Sequence, residues 1–260
     1  IIGNKIQSFP EKNWKKEFVK ANQLGLKLIE WTLDYKNLRN NPILTKKGHL
    51  IIKKLSKKHS IKINSLTGDC FMQKPFWKIK NNQKLIEDLK KIIDACKLLD
   101  IKFIVVPLVD NGSIQNYDDK KNLIKSCNKI VKYLHNSKIK LIFESDFPPK
   151  KLKNFIKQFD KKYFGINYDV GNSAALNYDI DKEFKYYGEY ILNIHIKDRV
   201  KNGKTIRLGK GNVNFLKLFN NLKKIRYKKN LILQTARSKN NQHMNEIKIN
   251  LNYLNKFKNV

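Results

Sequence analysis

The stretches that decide the fold are Asn167-Tyr168-Asp169-Val170-Gly171-Asn172 and Asn193-Ile194-His195-Ile196-Lys197-Asp198. Each is an apolar run that ends in side chains able to bind a metal ion. Two further runs share the pattern, and they are Lys140-Leu141-Ile142-Phe143-Glu144 and Asn230-Leu231-Ile232-Leu233-Gln234. Parallel barrels carry their functional side chains at the carboxyl ends of their strands. We therefore expect Glu144, Asp169, His195 and Gln234 to meet at one end of such a barrel.

The donor atoms of these four side chains indicate a divalent cation. Carboxylate oxygens together with an imidazole nitrogen suit Mn²⁺, Mg²⁺, Co²⁺ or Zn²⁺. A histidine inside a strand is more often a core residue, and Asp-Val-Gly-Asn is also typical of a turn. The metal hypothesis is favoured because Glu144, Asp169 and His195 end successive strands. Asp198 lies just beyond, where it could orient the imidazole or pair with Lys197 or Arg199.

Strand-like and helical segments alternate along the whole chain. We predict eight strands: Lys5–Phe9, Leu26–Trp31, Ile61–Leu66, Phe103–Pro107, Lys140–Glu144 and the runs ending at Asp169, His195 and Gln234. We predict helices at Trp14–Leu24, Thr45–Lys58, Asn82–Leu98, Leu123–Leu134, just after Pro149, Asp181–Tyr187, Asn214–Leu222 and Asn241–Phe257. Strict alternation implies parallel pairing, and no linker divides the chain. The sequence therefore predicts an α/β fold, a single (β/α)8 TIM barrel over residues 1–260.

Length and cysteine content agree with one intracellular domain. The 260 residues match the ~250 that a (β/α)8 barrel needs. No apolar run approaches the ~20 residues of a membrane span, and the start of the chain lacks the pattern of a signal peptide. The cysteines, Cys70, Cys96 and Cys127, form no Cys-x-x-Cys pair and no disulfide framework. We expect a cytoplasmic protein without a membrane partner.

The formal net charge of +33 suggests a polyanion partner, but the kind of basic residue argues against one. Only five of the 55 basic residues are arginines, and the lysines are spread along the whole chain beside abundant Asn and Ile. An AT-rich genome encodes such a composition, whereas nucleic-acid interfaces favour arginine because its fork pairs with phosphate and guanine edges. We do not expect a nucleic-acid partner. The charge would still attract anionic substrates.

A glycine-flanked turn, Leu208-Gly209-Lys210-Gly211-Asn212-Val213-Asn214, leads into a predicted helix. It lies between the seventh and eighth predicted strands, where barrels often bind phosphate through backbone N–H groups. The alternative is an ordinary loop with Asn214 as the helix N-cap. We expect a phosphate or terminal hydroxyl to lie near this turn and Arg237, with Lys197, Arg199 and Lys210 as weaker candidates.

The second half of the chain contains four motifs whose order is characteristic. They are Asp-Val-Gly-Asn at 169–172, His-Ile-Lys-Asp-Arg at 195–199, Leu-Gly-x-Gly-x-x-x-Phe at 208–215 and Leu-Gln-Thr-Ala-Arg at 233–237. Further matches are Lys5–Pro10, Ile29–Trp31, Asp69–Met72 and Pro107–Asn111. This ordered set covers essentially the whole chain. It resembles the xylose isomerase-like TIM-barrel family of sugar-phosphate isomerases and epimerases.

The resemblance implies a divalent metal held by Glu144, Asp169, His195 and a fourth ligand from the last strand. In that family the fourth ligand is commonly a glutamate that also acts as a base, whereas this chain has Gln234. An amide can ligate a cation but cannot take up a proton at neutral pH. We therefore expect one-base isomerisation rather than two-base epimerisation. Glu144 would remove the proton alpha to the carbonyl and return it to the neighbouring carbon of an enediolate.

The resemblance also implies a sugar or sugar phosphate as substrate. We expect contacts with it from several polar side chains: Asn172, Asp198, Lys210, Arg237, Glu30 and Asp69. Glu30, Asp69 or Asp110 could supply a second base. The sugar, the metal and any assembly into homo-oligomers are left open.

Three other functions fit the same superfamily. The first is an AP-endonuclease-like DNA-repair enzyme, which would hold three zinc ions and need many histidines. The chain has five, and only His195 clearly ends a strand. The second is a catalytically weakened sugar-binding barrel, in which Gln234 marks lost activity. The third is dehydration of a keto-polyol at the same metal site.

Overall fold

The computed structural model of this chain describes residues 8–238 and 240–257. Contacts between Cα atoms divide the chain into two compact units. The first contains the residues up to Ser145 together with Gln158–Gly165. The second contains Asp146–Lys157 and the residues from Ile166 onward. The prediction of a single domain over the whole chain stays a prediction.

The first unit alternates parallel strands with helices that follow them. Its strands are β1 (Leu28–Thr32), β2 (Lys62–Thr67), β3 (Phe103–Leu108) and β4 (Lys140–Ser145). Its helices are α1 (Trp14–Gln23), α2 (Lys46–His59), α3 (Asp69–Gln73), α4 (Gln83–Leu98) and α5 (Tyr117–Ser137). The pairings β1–β2, β2–β3 and β3–β4 are parallel.

The rest of the chain continues the same alternation. Its elements are α6 (Pro149–Ile156), β5 (Phe164–Asp169), α7 (Val170–Ala175), α8 (Ile180–Tyr187), β6 (Ile191–Ile196), β7 (Asp198–Arg199), β8 (Thr205–Ile206), α9 (Phe215–Lys224), β9 (Asn230–Leu233) and α10 (His243–Leu254). Strands β5, β6 and β9 pair in parallel. Strands β7 and β8 form a separate antiparallel hairpin.

The main sheet has the strand order β1-β2-β3-β4-β5-β6-β9. Seven of the eight predicted strands therefore lie in one sheet, and the predicted α/β architecture with parallel strands is confirmed. Most of the predicted strand Lys5–Phe9 lies outside the described residues, and its last two residues are not in a strand. The short helices α3 and α7 and the β7–β8 hairpin were not predicted from the sequence.

Local sequence explains where several helices begin. The Thr45 hydroxyl accepts the N–H of Gly48 at the start of α2, and the Asn214 side chain accepts the N–H of Lys217 at the start of α9. Asn116 caps α5 through the N–H of Asp119, so this helix begins earlier than predicted. Such caps satisfy N–H groups that a first helical turn leaves unpaired.

Strands β5 and β6 are buried along their full length. Parallel strands that are covered on both faces have near-continuous apolar sequences. The alternation of apolar and polar residues that marks a half-exposed strand is therefore weak in β5 and β6. Their few polar residues, Asn167, Asp169, Asn193 and His195, are therefore conspicuous. Among the described helices, none combines the length and the apolar character that a membrane crossing requires.

Candidate metal and substrate site

Three acidic or imidazole side chains meet at strand ends. Asp169 is the last residue of β5 and pairs in register with His195, which is next to last in β6. Glu144 lies at the corresponding end of β4. One ligand atom from each of Glu144, Asp169 and His195 lies within 4.8 Å of the other two, and all three residues are buried. This set of two carboxylates and one imidazole fits a divalent ion of the Mn²⁺ to Zn²⁺ type.

The two oxygens of Asp169 have different partners. Its Oδ1 accepts the N–H of Asn172 at 2.8 Å and so caps α7. Its Oδ2 lies 3.9 Å from His195 Nδ1 and 3.0 Å from the ammonium of Lys197. The cap therefore orients the carboxylate so that Oδ2 faces the other candidate ligands.

His195 is held by two asparagines on the strands beneath the site. The amide of Asn193 donates to Asn167 Oδ1 at 2.7 Å, and Asn167 Nδ2 lies 3.2 Å from His195 Nδ1. This contact restrains the orientation of the imidazole ring. Sequence reasoning gave Asn167 and Asn193 no role. Their positions in the sequence could have indicated this role. Asn167 lies two residues before Asp169 and Asn193 two residues before His195, so each asparagine shares a strand face with a candidate ligand.

Gln234 follows β9, and its N–H donates to the carbonyl of Ile196 at 3.0 Å. Its side-chain Oε1 accepts a hydrogen bond from Lys197 Nζ at 2.9 Å. The same ammonium is paired with Asp169, so Lys197 joins two of the four predicted ligands. Sequence reasoning considered Lys197 only as a weak substrate anchor.

The backbone of the predicted phosphate-binding turn at Gly209–Gly211 has partners within the protein. Asp198 is fully buried, and its carboxylate accepts the N–H groups of Gly209, Gly211 and Val213 at 2.9, 2.9 and 3.1 Å. The two intervening N–H groups, those of Lys210 and Asn212, donate to backbone carbonyls. These five N–H groups are therefore engaged within the protein, and a role of this turn in phosphate binding stays a prediction.

Asp198 has a structural role that was not predicted from the sequence. It was expected to contact substrate, to orient the imidazole or to pair with Lys197 or Arg199. Its three backbone partners and its burial make it the group that holds the turn, and its role toward a substrate stays a prediction. The alternative in which the glycine-flanked segment is an ordinary loop with Asn214 as N-cap fits the structure.

The other predicted substrate contacts lie in varied surroundings. Asn172 accepts from Arg199 Nη1 at 2.8 Å, and Arg199 also donates to the carbonyl of Gly203 in the β7–β8 hairpin. Lys210 and Arg237 are exposed. In the first unit, Glu30 is half-buried and accepts the hydroxyl of Thr67, and Asp69 is buried at the start of α3. Their roles toward a substrate stay predictions.

Comparisons with known proteins agree with this reading of the strands. The family model described as xylose isomerase-like TIM barrel matches residues 18–257. A Haemophilus influenzae protein named "Putative L-ribulose-5-phosphate 3-epimerase SgbU" is 24% identical over 250 residues, which are 90% of this chain and 87% of that protein.

Two solved structures show the same fold at low identity. One is D-psicose 3-epimerase with D-tagatose, from Clostridium cellulolyticum H10. It has a TM-score of 0.75 at 14% identity, and the alignment covers 94% of this chain and 93% of the epimerase chain. The other is the IOLI protein with a binding zinc atom, with a TM-score of 0.74 at 16% identity. The alignment covers 97% of this chain and 95% of the IOLI chain. The family match spans most of the chain and agrees with the parallel strands and their polar ends, so this chain belongs to the xylose isomerase-like TIM-barrel family.

Proposed function

We propose that this chain is a divalent-metal-dependent isomerase or epimerase of a sugar or sugar phosphate, working through an enediolate with Glu144 as base. The observation that carries the proposal is the buried group of Glu144, Asp169 and His195, whose ligand atoms lie within 4.8 Å of one another. The names of its relatives support the substrate class, because they include sugar and sugar-phosphate 3-epimerases.

Glu144, Asp169 and His195 would hold the metal, with Gln234 as the fourth ligand. When bound, the ion supplies positive charge that stabilises an oxygen becoming negative during proton transfer. The chain's own residues do the rest. Asp169 is oriented by its cap on α7, and the His195 nitrogen by Asn167. Burial of all three side chains keeps water away and strengthens the electrostatic interactions among them.

Proton transfer is assigned to Glu144. Its carboxylate would take the proton from the carbon next to the carbonyl and return it to the neighbouring carbon, which interconverts an aldose and a ketose. Gln234 cannot share this work, because its amide does not accept a proton at neutral pH. Inversion at a stereocentre would need a second base, and Glu30, Asp69 and Asp110 are the carboxylates near other strand ends that could provide one.

The substrate's anionic end is assigned to side chains rather than to the backbone. The N–H groups of the 209–213 turn are engaged by Asp198 and by carbonyls. Arg237 and Lys210 are exposed and positively charged, so they are the proposed partners of a phosphate.

Metal content and turnover of a ketose panel test this proposal. The purified chain should bind Mn²⁺, and His195→Ala and Asp169→Ala should lose the ion while remaining folded. Glu144→Gln should lower turnover by about 10²–10⁴-fold, as expected for loss of a general base. Full metal occupancy in both alanine variants would show that the ligand assignment is wrong. Sugar binding without turnover would instead favour the weakened sugar-binding barrel.

Running the reaction in D₂O distinguishes the two kinds of proton transfer. One-base isomerisation predicts carbonyl migration without inversion. Deuterium entering with inversion at the rate of turnover would establish a second base, and the variants Glu30→Gln, Asp69→Asn and Asp110→Asn would then identify it.

A further inference from the structure

Lys197 differs from the many surface lysines of this chain because it is held in place. Its side chain is 12% exposed, and its ammonium lies 3.0 Å from Asp169 Oδ2 and 2.9 Å from Gln234 Oε1. Gly171, in the first turn of α7, packs directly against its stem. A Cβ atom at Gly171 would lie 2.7 Å from Lys197 Cγ and 3.0 Å from its Cβ. The missing side chain at position 171 therefore makes room for Lys197.

Lys197 contacts the oxygen of Asp169 that is not engaged in the helix cap. Oδ1 of Asp169 is committed to the N–H of Asn172, whereas Oδ2 is the oxygen 3.9 Å from His195 Nδ1. Asp169 and Gln234 are two of the residues that would hold the ion in the proposed function. The ammonium lies between the same two oxygens, so the ion and the ammonium compete for one place.

The charges of the site also indicate competition between the ammonium and the ion. Glu144 and Asp169 bring two carboxylates into buried surroundings, and Gln234 adds no third negative charge. The ammonium of Lys197 compensates the charge of Asp169. A divalent ion beside the ammonium would meet strong repulsion at such short range. Binding the ion therefore requires the ammonium to move away from Asp169 Oδ2.

We propose that Lys197 is an internal competitor for the metal: its ammonium occupies the Asp169–Gln234 side of the site and must leave it for the ion to bind. The proposal rests on the proposed function, because it takes Asp169 and Gln234 as metal ligands. Lys197 would thus be a positioning residue that keeps the metal-free site compact and lowers the affinity for the ion.

Metal titration of a charge-removing variant tests the competition. Lys197→Met keeps an unbranched apolar stem and removes the ammonium. Its dissociation constant for Mn²⁺, measured by calorimetry on metal-stripped full-length chain, should fall at least about tenfold. The metal-free variant should melt at a lower temperature than the unmodified protein, because Asp169 loses its buried partner.

A matched control is Lys217→Met. Lys217 pairs with Asp181 at 3.0 Å on the surface, and its side chain is 47% exposed. The control removes the same charge, and its Mn²⁺ affinity should equal that of the unmodified protein. Equal tightening in both variants would assign the effect to net charge and overturn the proposal.

A second measurement needs no substitution. Acetylation of Lys197 by acetic anhydride, followed by peptide mass spectrometry, should speed up several-fold when Mn²⁺ is added, while Lys217 should not change. Unchanged or slower acetylation of Lys197 would overturn the proposal, as would unchanged or weaker Mn²⁺ binding by Lys197→Met. If the unmodified protein binds Mn²⁺ and converts sugars, such a result removes only this inference. If neither protein binds the ion, the metal assignment of the proposed function fails and the competition fails with it.

Discussion

At the scale of single residues, Asp198 shows how a side chain beside a candidate site can hold the backbone of a turn. Its two oxygens accept three backbone N–H groups from one turn. Gly211 allows this close approach, since a Cβ atom there would lie 2.2 Å from Asp198 Oδ1. Gly209 has a positive φ of 78° and lies against the ring of Tyr253, so it is restricted for two reasons.

Gly211→Ala should therefore destabilise the protein. The turn would have to move away from Asp198, and at least one N–H bond to a buried carboxylate would weaken. We expect a loss of about 1–3 kcal/mol in the free energy of unfolding, measured by urea denaturation. Gly188→Ala is the matched control, because its nearest atoms would be 3.5–3.7 Å away, and it should change stability by less than ~0.5 kcal/mol. Equal effects of the two substitutions would contradict the role of the Asp198 contact.

At the scale of elements, α7 and α8 are joined to β5 through one buried carboxylate. Glu183 accepts the hydroxyls of Tyr168 and Tyr187 at 2.7 and 2.6 Å, and also that of Ser173. Tyr168 and Ser173 flank the Asp169–Asn172 segment, so this network anchors the segment that carries a candidate ligand. Burial raises the pKa of Glu183 even though the three hydroxyl donors act in the opposite direction.

The raised pKa of Glu183 predicts a specific pH dependence. Its contribution to stability is fully present below the pKa of an unfolded glutamate, about 4.3. It is lost as the pH rises through the higher pKa of the folded state. The advantage of the unmodified protein over Glu183→Gln should therefore shrink as the pH is raised from about 4 toward neutrality. Urea unfolding of both proteins across this range measures it, and an advantage that grows with pH would contradict the assignment.

The β7–β8 hairpin is another element that only the folded chain explains. The sequence shows an Arg199 and a glycine at 203 with no obvious connection. In the structure Arg199 closes the hairpin through the Gly203 carbonyl and ties it to Asn172 on α7. Asn172, predicted to contact substrate, therefore also fixes the hairpin that follows β6.

At the scale of the whole molecule, the three cysteines report on unfolding. Cys70, Cys96 and Cys127 are buried, and burial raises the pKa of each thiol. Because the thiolate is the reactive species, a thiol reagent should modify the native protein on the order of 10²-fold more slowly than the urea-unfolded protein. The reagent releases one chromophore for each thiol that reacts, so the absorbance gives the number of modified thiols. One thiol reacting at the unfolded rate under native conditions would show that its region opens freely.

The net charge of +33 makes a second prediction for the whole molecule. If the substrate is a sugar phosphate, its kcat/KM should fall several-fold as ionic strength rises from ~0.01 to ~0.15 M, because the Debye length falls from ~30 to ~8 Å. The unphosphorylated sugar is the internal control and should respond little. An equal fall of kcat/KM for both sugars would show that the net charge does not steer the phosphorylated substrate to the protein.

Much of this protein could be predicted from its sequence alone. The alternation of apolar runs with amphipathic stretches predicted the parallel α/β architecture, because each kind of element has its own hydrophobic period. Parallel strands end at the same edge of a sheet, so the polar ends of β4, β5 and β6 predicted that Glu144, Asp169 and His195 would meet. The order of the motifs was specific enough to predict the family.

Tertiary structure alone decided how these polar groups are paired. The sequence did not show that Asp198 accepts N–H groups 11 to 15 residues farther along the chain. Lys197 joins Asp169 to Gln234, 28 and 37 residues away, and Asn167 on β5 reaches His195 on the neighbouring strand β6. A hydrogen bond depends on tenths of an ångström and on the direction of a donor. Sequence periodicity predicts which face of a strand a residue occupies, whereas packing of the whole chain selects the partner it meets there.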